Sequence, residues 1–217
     1  MAYAAKWKKW ALLLVVLSIA STGGTVFGWP SLRATLRREG QFAQGCEVDV
    51  PVIANATENG TSPDSAADPA IENICTEQEL RFGVIFTVGN FASQAGRLPL
   101  GIFADRAGPR IAAGSAAVAF ACGTAIFALA SSLAARSFAY FVIGAAGGGV
   151  QLATQSVSSL FPQLRSTVMA ILSGAFQLAT VSYLIIDALH SIGVSLAALL
   201  LGHAALVTVN ALVLFAL

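Results

Sequence analysis

Long apolar segments dominate this sequence and set the strongest limit on how the chain can fold. A bilayer core about 30 Å thick is crossed by roughly 20 apolar residues in helical conformation, and the chain offers six such segments. Of its 217 residues, 56% are hydrophobic and 11% are charged, which is far from the balance of a soluble domain. Backbone groups in lipid are satisfied only within helices or closed barrels, and runs rich in Ala, Leu and Val indicate helices. We therefore predict an all-α membrane protein.

The segments predict six transmembrane helices, which cover residues 10–29, 82–104, 111–130, 137–161, 167–189 and 194–217. Residues 1–9 precede the first helix, residues 30–81 form a long polar loop, and residues 105–110 form a short loop after the second helix. A cleaved secretory signal is the alternative at the N-terminus, because basic residues precede an apolar stretch there. The apolar character continues through Trp29, however, which favours an uncut membrane helix.

The polar loop at 30–81 carries features typical of a lumenal or extracellular segment. Asn55 and Asn59 each begin an N-glycosylation acceptor pattern, and Cys46 and Cys75 bracket both patterns. The two cysteines form either a disulfide across the loop or two unpaired thiols. Lysines and arginines are nearly balanced between the two sides, so the acceptor patterns decide the orientation. We expect a plasma-membrane protein with a cytoplasmic N-terminus.

Polar side chains recur at helical spacing in four of the six segments. A helix surrounded by lipid is apolar on every face, so a polar stripe indicates a face turned toward protein or water. Interhelical hydrogen bonding explains such a stripe, particularly for Ser and Thr, whereas four striped helices together favour a shared aqueous cavity. The third and sixth helices show no stripe. The candidate cavity residues are Ser18, Thr22, Thr25, Asn90, Gln94, Arg97, Gln151, Gln155, Ser173 and Gln177.

Arg97 is the least favourable of these residues to place in a membrane. It precedes Asp105 by eight residues, roughly 12 Å of helix rise, and so falls in the inner half of the bilayer. Its side chain either extends to the inner interface or faces the cavity, where it would pair with an anionic group such as a substrate carboxylate. Gly144 and Gly148 have the spacing that lets helix backbones approach closely, and they also allow a helix to bend.

The stretch GIFADRAGPR, residues 101–110, is expected to join the second and third helices. Its residue types alone would suit any two-helix hairpin, because glycine and proline favour a reversal of chain direction and the charged side chains hold the segment at the membrane interface. Its spacing resembles the loop signature of the major facilitator superfamily, and the matching residues are Gly101, Asp105, Arg106, Gly108 and Arg110. The segments FGWPSL, TVGNF and LRSTVMAILSGAFQLATVSYLIIDALHSIGVS further resemble the large neutral amino-acid transporter family, solute carrier family 43.

This resemblance implies the N-terminal six-helix half of a twelve-helix transporter that works by alternating access. Family members carry large neutral amino acids or, in one branch, purine nucleobases, by a sodium-independent facilitative route. Asp105 would interact with a helix N-terminus across the interface between the halves, and Arg106 and Arg110 would add charge contacts there. The expected partners are the lipid bilayer, a small neutral organic substrate, and a second six-helix half or a second copy of the chain.

Other classes of function fit the sequence less well. Nucleic-acid binding is excluded because the basic residues form no run beyond Lys8 and Lys9 and the short cluster at 33–38. An enzyme would need Ser173, Asp187 and His190 to meet, yet about 26 Å of helix rise separates Ser173 from His190. No metal-ligand spacing or cofactor motif is present, so neither a metal nor a cofactor is expected. A non-transporting six-helix subunit that regulates or anchors a partner is the remaining alternative.

Overall fold

A computed structural model describes residues 2–43 and 75–216 of the chain, and these residues form a bundle of α-helices. The predictions for Cys46, Asn55 and Asn59 lie outside the described residues. Short 3-10 helices at Thr25–Gly28, Gln155–Leu160 and Pro162–Leu164 connect several of the longer helices. In chain order the α-helices are α1 Ala2–Thr22, α2 Trp29–Arg38, α3 Thr76–Ala95, α4 Arg97–Ala107, α5 Pro109–Leu129, α6 Leu133–Thr154, α7 Arg165–Leu178, α8 Val181–Ser191 and α9 Leu196–Ala216.

Four segments of the described chain are long and apolar enough to cross a membrane: Pro109–Leu129, Leu133–Leu160, Pro162–Ser191 and Leu196–Ala216. A fifth span results if Trp7–Thr22 and Thr25–Arg38, which meet at an angle of 41°, are counted as one bent helix pair. The chain is therefore an all-α membrane protein, but the prediction of six spans is not confirmed. The segment without such a span is the second predicted helix, residues 82–104. Asn90, Gln94 and Arg97 make it more polar than the others.

We name the two ends of the bundle after the sequence segments that lie there. The motif end holds residues 105–110. At this end Lys8 Nζ on α1 donates a hydrogen bond to the backbone oxygen of Leu160 over 3.0 Å, and Arg110 donates one to the backbone oxygen of Phe215 over 2.8 Å. The opposite end, which we call the loop end, holds α2, the start of α3, and the connections from α5 to α6 and from α8 to α9.

Helix α2 at the loop end differs from the sequence prediction, which placed residues 30–38 in the polar loop. Pro30 occupies the first turn, where its missing N–H leaves no hydrogen bond unmade. Leu32 and Leu36 are spaced by one helical turn and are both buried, so α2 packs an apolar face on the bundle. Two of its polar side chains reach α8, where Asp187 accepts hydrogen bonds from the Thr35 hydroxyl at 2.6 Å and from Arg38 at 2.7 Å.

Helices α3 and α6 pack along each other with almost no space between their backbones. A Cβ atom added at Gly144 would collide with the backbone oxygen of Gly89, and one added at Gly148 would lie 2.7 Å from the backbone oxygen of Ser93. The spacing of these two glycines in α6 therefore serves close helix packing, as in other membrane helix pairs. The fully buried side chain of Tyr140, on α6, packs directly against Gly89 of α3 in the same contact.

Candidate functional site

Three helices of the bundle are interrupted at places that lie next to one another. The first break follows α1 at Gly23 and Gly24, the second falls at Gly96, and the third separates α7 from α8 at Thr180. Gly24 lies directly against the backbone oxygen of Phe176, and a Cβ at Gly28 would lie 2.7 Å from that of Thr180. The first break bends the chain by 41°. The other two are short irregular turns with continued backbone hydrogen bonding, since Gly96 N donates to the backbone oxygen of Ala92 at 2.8 Å and Thr180 N to that of Gln177 at 3.2 Å. We call this region the junction.

Arg97, the first residue of α4, reaches into the junction. Its Nη2 donates a hydrogen bond to Gln151 Oε1 on α6 over 3.2 Å, and its Cζ lies 5.9 Å from the centre of the Phe176 ring. Gly148 makes room for this arrangement, because a Cβ there would already lie 3.4 Å from Arg97 Cγ. The Nε atom of Arg97 is buried without a hydrogen-bond partner. The guanidinium is thus held by an amide and an aromatic face while one of its donors stays unused.

The hydroxyl groups of α1 that were predicted to line the cavity are packed inside the bundle. Ser18, Thr22 and Thr25 are almost fully buried. Thr22 donates its hydroxyl hydrogen to the backbone oxygen of Ser18 at 2.7 Å, and Thr25 donates to that of Thr22 at 3.2 Å. Such bonds back to the preceding turn satisfy the Thr22 and Thr25 hydroxyls and often accompany helix bending. The Ser18 hydroxyl is buried without a hydrogen-bond partner among the described residues. These three residues therefore support the break after α1 and do not face an open space.

A second group of predicted cavity residues lies on the outside of the bundle. Gln94 on α3 and Ser173 and Gln177 on α7 are exposed, while Asn90 and Gln155 are half-buried. We call the three exposed residues the polar face. Polar side chains on membrane helices face protein or water in preference to lipid. Both helices that carry the polar face border the junction, so the polar face and Arg97 belong to the same part of the molecule.

Helix α9 contains a polar pair that sequence reasoning missed. The sixth predicted helix has no polar stripe like those of the other four, yet its His203 and Asn210, seven residues apart, both bond to α1. His203 Nε2 lies 2.8 Å from the backbone oxygen of Ser21, and Asn210 Nδ2 donates to Ser21 Oγ at 3.1 Å. A carbonyl only accepts, so Nε2 of His203 carries the proton. Their seven-residue spacing was the available signal, and it marks a contact between α1 and α9.

The motif residues take up the positions expected of a tight helical hairpin. Gly108 ends α4 with φ +88°, a conformation that L side chains rarely adopt, and Pro109 opens α5 immediately afterwards. At Gly101 an added Cβ would lie 3.1 Å from the Leu152 side chain, so α4 crosses α6 closely. Asp105 and Arg106 are exposed at the motif end. Their carboxylate and guanidinium are accessible to another protein segment.

The remaining candidate groups do not assemble into a catalytic or metal site in the described part of the chain. His190 Nδ1 lies 2.9 Å from the backbone oxygen of Val194, and Asp187 is bonded to α2, so neither supports Ser173 as a nucleophile. Within residues 2–43 and 75–216, no cluster of three His, Cys, Asp or Glu residues could hold a metal ion. Cys75 is disulfide-bonded, whereas Cys122 carries a free thiol.

Comparison with known proteins relates the chain to transporters. The chain is 29% identical over 199 residues to the human protein Large neutral amino acids transporter small subunit 3, covering 89% of this chain and 34% of that protein. It is 28% identical over 189 residues to the Bos taurus Equilibrative nucleobase transporter 1, covering 86% of this chain and 36% of that protein. No protein-family model matches the chain. These similarities confirm the resemblance to the large neutral amino-acid transporter family.

The chain spans about a third of the length of the curated relatives it matches. Both of these relatives are named as transporters.

Proposed function

We propose that the chain forms the N-terminal six-helix part of a sodium-independent facilitative carrier of the major facilitator superfamily for large neutral amino acids. The observation that carries the proposal is the junction, where the bent α1–α2 pair and the irregular turns at Gly96 and Thr180 meet beside Arg97. Substrate sites of alternating-access transporters are typically built at interrupted helices near the middle of the membrane. Arg97, with an unused donor, is suited to a substrate carboxylate, and the neighbouring Phe176 ring offers an apolar surface to the substrate side chain.

The polar face requires a second protein surface in this proposal. Gln94, Ser173 and Gln177 would border a water-filled cavity whose opposite wall comes from a second six-helix half or a second copy of the chain. The exposed Asp105 would then meet a helix N-terminus of that partner, where the helix dipole stabilises a carboxylate. Rocking of the two parts about this contact would expose the junction to each side of the membrane in turn.

Purine nucleobase transport is the second candidate. The similarity to a nucleobase transporter supports it, and so does the geometry, because an aromatic ring and a glutamine amide also suit a flat heterocycle with hydrogen-bonding edges. A nucleobase carries no carboxylate, however, and leaves the Arg97 charge without a counter-ion. We favour the amino acid for this reason.

Competition for leucine uptake separates the two substrates. The protein is reconstituted into liposomes and uptake of labelled leucine is measured without sodium. We expect an excess of phenylalanine to abolish saturable uptake and an equal concentration of adenine to leave it unchanged, because phenylalanine shares the carboxylate and apolar side chain of leucine. Inhibition by adenine together with indifference to phenylalanine would assign the carrier to nucleobases.

Asp105 distinguishes a carrier from a non-transporting subunit that regulates or anchors a partner. For a carrier, Asp105→Asn is expected to lower leucine uptake about tenfold at equal protein content, since the neutral side chain loses a charge-assisted contact of roughly 1.5–3 kcal/mol. Arg165→Gln, at another exposed charge near the start of α7, serves as the matched control and should transport normally. Full uptake by Asp105→Asn with reduced recovery of an associated protein would support the regulatory subunit.

The orientation of the chain belongs to the same proposal. A cytoplasmic N-terminus places the motif end inside the cell and the loop end outside. Plasma-membrane location, glycosylation at Asn55 and Asn59 and a bridge between Cys46 and Cys75 remain predictions from the sequence.

A further inference from the structure

A separate cavity lies at the loop end, away from the junction. It has a volume of about 190 Å³, is partly open, and is lined by residues of α2, α5, α6 and α9 and of the segment after α2. Its volume is smaller than the roughly 300–1,000 Å³ of sites for drug-sized ligands, so it suits a small metabolite. Buried apolar side chains form one part of its wall: Leu36, Phe127 and Leu200. Charged or polar groups form another part: Glu39, Arg136 and Ser195.

Arg136 is the unusual residue of this cavity. It is 6% exposed, and its guanidinium lies between two aromatic rings, with Cζ 5.2 Å from the centre of Phe42 and 5.8 Å from that of Phe127. Its Nε donates a hydrogen bond to the backbone oxygen of Ala130 at 2.9 Å, which fixes the orientation of the group. Its Nη1 is buried and has no hydrogen-bond partner. A buried cation with an unused donor beside a cavity is a site for an anionic acceptor.

Glu39 brings the opposite charge to the same cavity. It caps the end of α2 and is exposed, with one contact from Gln41 Nε2 at 3.4 Å. Its carboxylate acts electrostatically on Arg136, yet no ion pair joins the two among the described residues. The cavity is therefore lined by one positive and one negative group that remain apart, and its net charge is close to zero. A ligand with both charges satisfies such a site better than a simple anion does.

We propose that the loop-end cavity binds a zwitterionic amino acid, with its carboxylate on Arg136, its ammonium group on Glu39 and its apolar side chain against Phe127 and Leu200. The choice of an amino acid among zwitterions rests on the proposed function. The site is separate from the junction, since Arg97 contacts Gln151 and Phe176 and neither of these lines the cavity. An amino acid held here occupies a second site at the loop end of the carrier.

Equilibrium binding of labelled leucine tests this site without reference to transport. Arg136 is a poor residue to vary, because it also ties three parts of the fold together, so the test uses exposed Glu39. Glu39→Gln removes the charge while keeping the shape. The matched control is Glu77→Gln, since Glu77 is also exposed at the loop end and is paired with Arg81 on its own helix at 2.5 Å. All variants are prepared in an Arg97→Gln background, which removes the proposed junction site.

In the Arg97→Gln protein we expect one saturable leucine site, at least tenfold weakened by Glu39→Gln and unchanged by Glu77→Gln. Neither 4-methylpentanoate, which lacks the ammonium group, nor isoamylamine, which lacks the carboxylate, should displace leucine at matched concentration. Equal affinity in the Glu39→Gln and Glu77→Gln proteins overturns the proposal. So does full displacement by 4-methylpentanoate, which indicates an anion site, or the lack of any saturable binding. Leucine uptake by the wild-type protein tests the carrier function independently of all these outcomes.

Discussion

Replacing Arg97 with glutamine is expected to lower leucine uptake about 100-fold while the protein stays folded. Glutamine keeps hydrogen-bonding capacity toward Gln151 but carries no charge for a substrate carboxylate. Removing one partner of a buried charged pair costs about 2–5 kcal/mol, which corresponds to about 30-fold or more in affinity. The measurement is kcat/KM for leucine uptake in liposomes at equal protein content, with the thermal midpoint of the purified protein recorded alongside.

Two further variants separate charge recognition from packing. Arg97→Lys keeps the charge but loses the planar fork of donors, so uptake should fall between the wild-type and Arg97→Gln values. Arg165→Gln, an exposed arginine outside the junction, should leave uptake unchanged. A loss in Arg97→Gln that merely follows a lower thermal midpoint would show that Arg97 packs the helices together. The same conclusion would follow if adenine uptake, where present, fell as far as leucine uptake.

The long apolar helices were predictable from the sequence because lipid imposes a simple rule on them. The third and sixth predicted segments, 111–130 and 194–217, agree closely with α5 at Pro109–Leu129 and α9 at Leu196–Ala216. Neither predicted segment contains Asp, Glu, Lys or Arg, so hydropathy alone determines where it begins and ends. The segment 82–104 behaved differently because its polar residues serve contacts with other helices.

The helix breaks depend on tertiary contacts and were not predictable in the same way. The fifth predicted segment, 167–189, is divided near Thr180, although neither proline nor glycine stands there. The backbone oxygen of Thr180 instead lies close to Gly28 from a distant part of the chain. Likewise, the arginines of α2 made residues 30–38 look like a loop, whereas in the fold they bond to carboxylates such as Asp187 and Glu79.

For the candidate site, the sequence predicted which residues matter but not how they are arranged in space. Arg97 and Gln151 stood out in the sequence because charged and amide side chains are unfavourable in lipid. Their contact joins α4 to α6 across 54 residues of sequence, and only the packing of glycine-rich α6 brings them together. His203 and Asn210 were missed because they are two polar residues, two turns apart, in a strongly apolar helix. Two polar residues on one helix face predict a helix contact less strongly than four do.

Replacing Gly144 with alanine is expected to disrupt the packing of α3 on α6 and to lower the stability of the protein markedly. The new Cβ meets the backbone oxygen of Gly89, which no side-chain rotation can move aside. Overpacking of this kind costs about 1–3 kcal/mol and occasionally more, and each 1 kcal/mol lowers the thermal midpoint by roughly 2–4 °C in a chain of this size. The measurement is the thermal midpoint of the detergent-solubilised protein.

Gly202→Ala is the matched control for this prediction. Gly202 also lies inside a membrane helix, but a Cβ at that position meets nothing within 4 Å. Alanine favours helix by about 1 kcal/mol over glycine, so the control should keep or slightly raise the thermal midpoint. A Gly144→Ala protein as stable as Gly202→Ala would mean that α3 and α6 separate without loss. The packing that places Arg97 beside Gln151 would then be able to move, and the junction would open between α3 and α6.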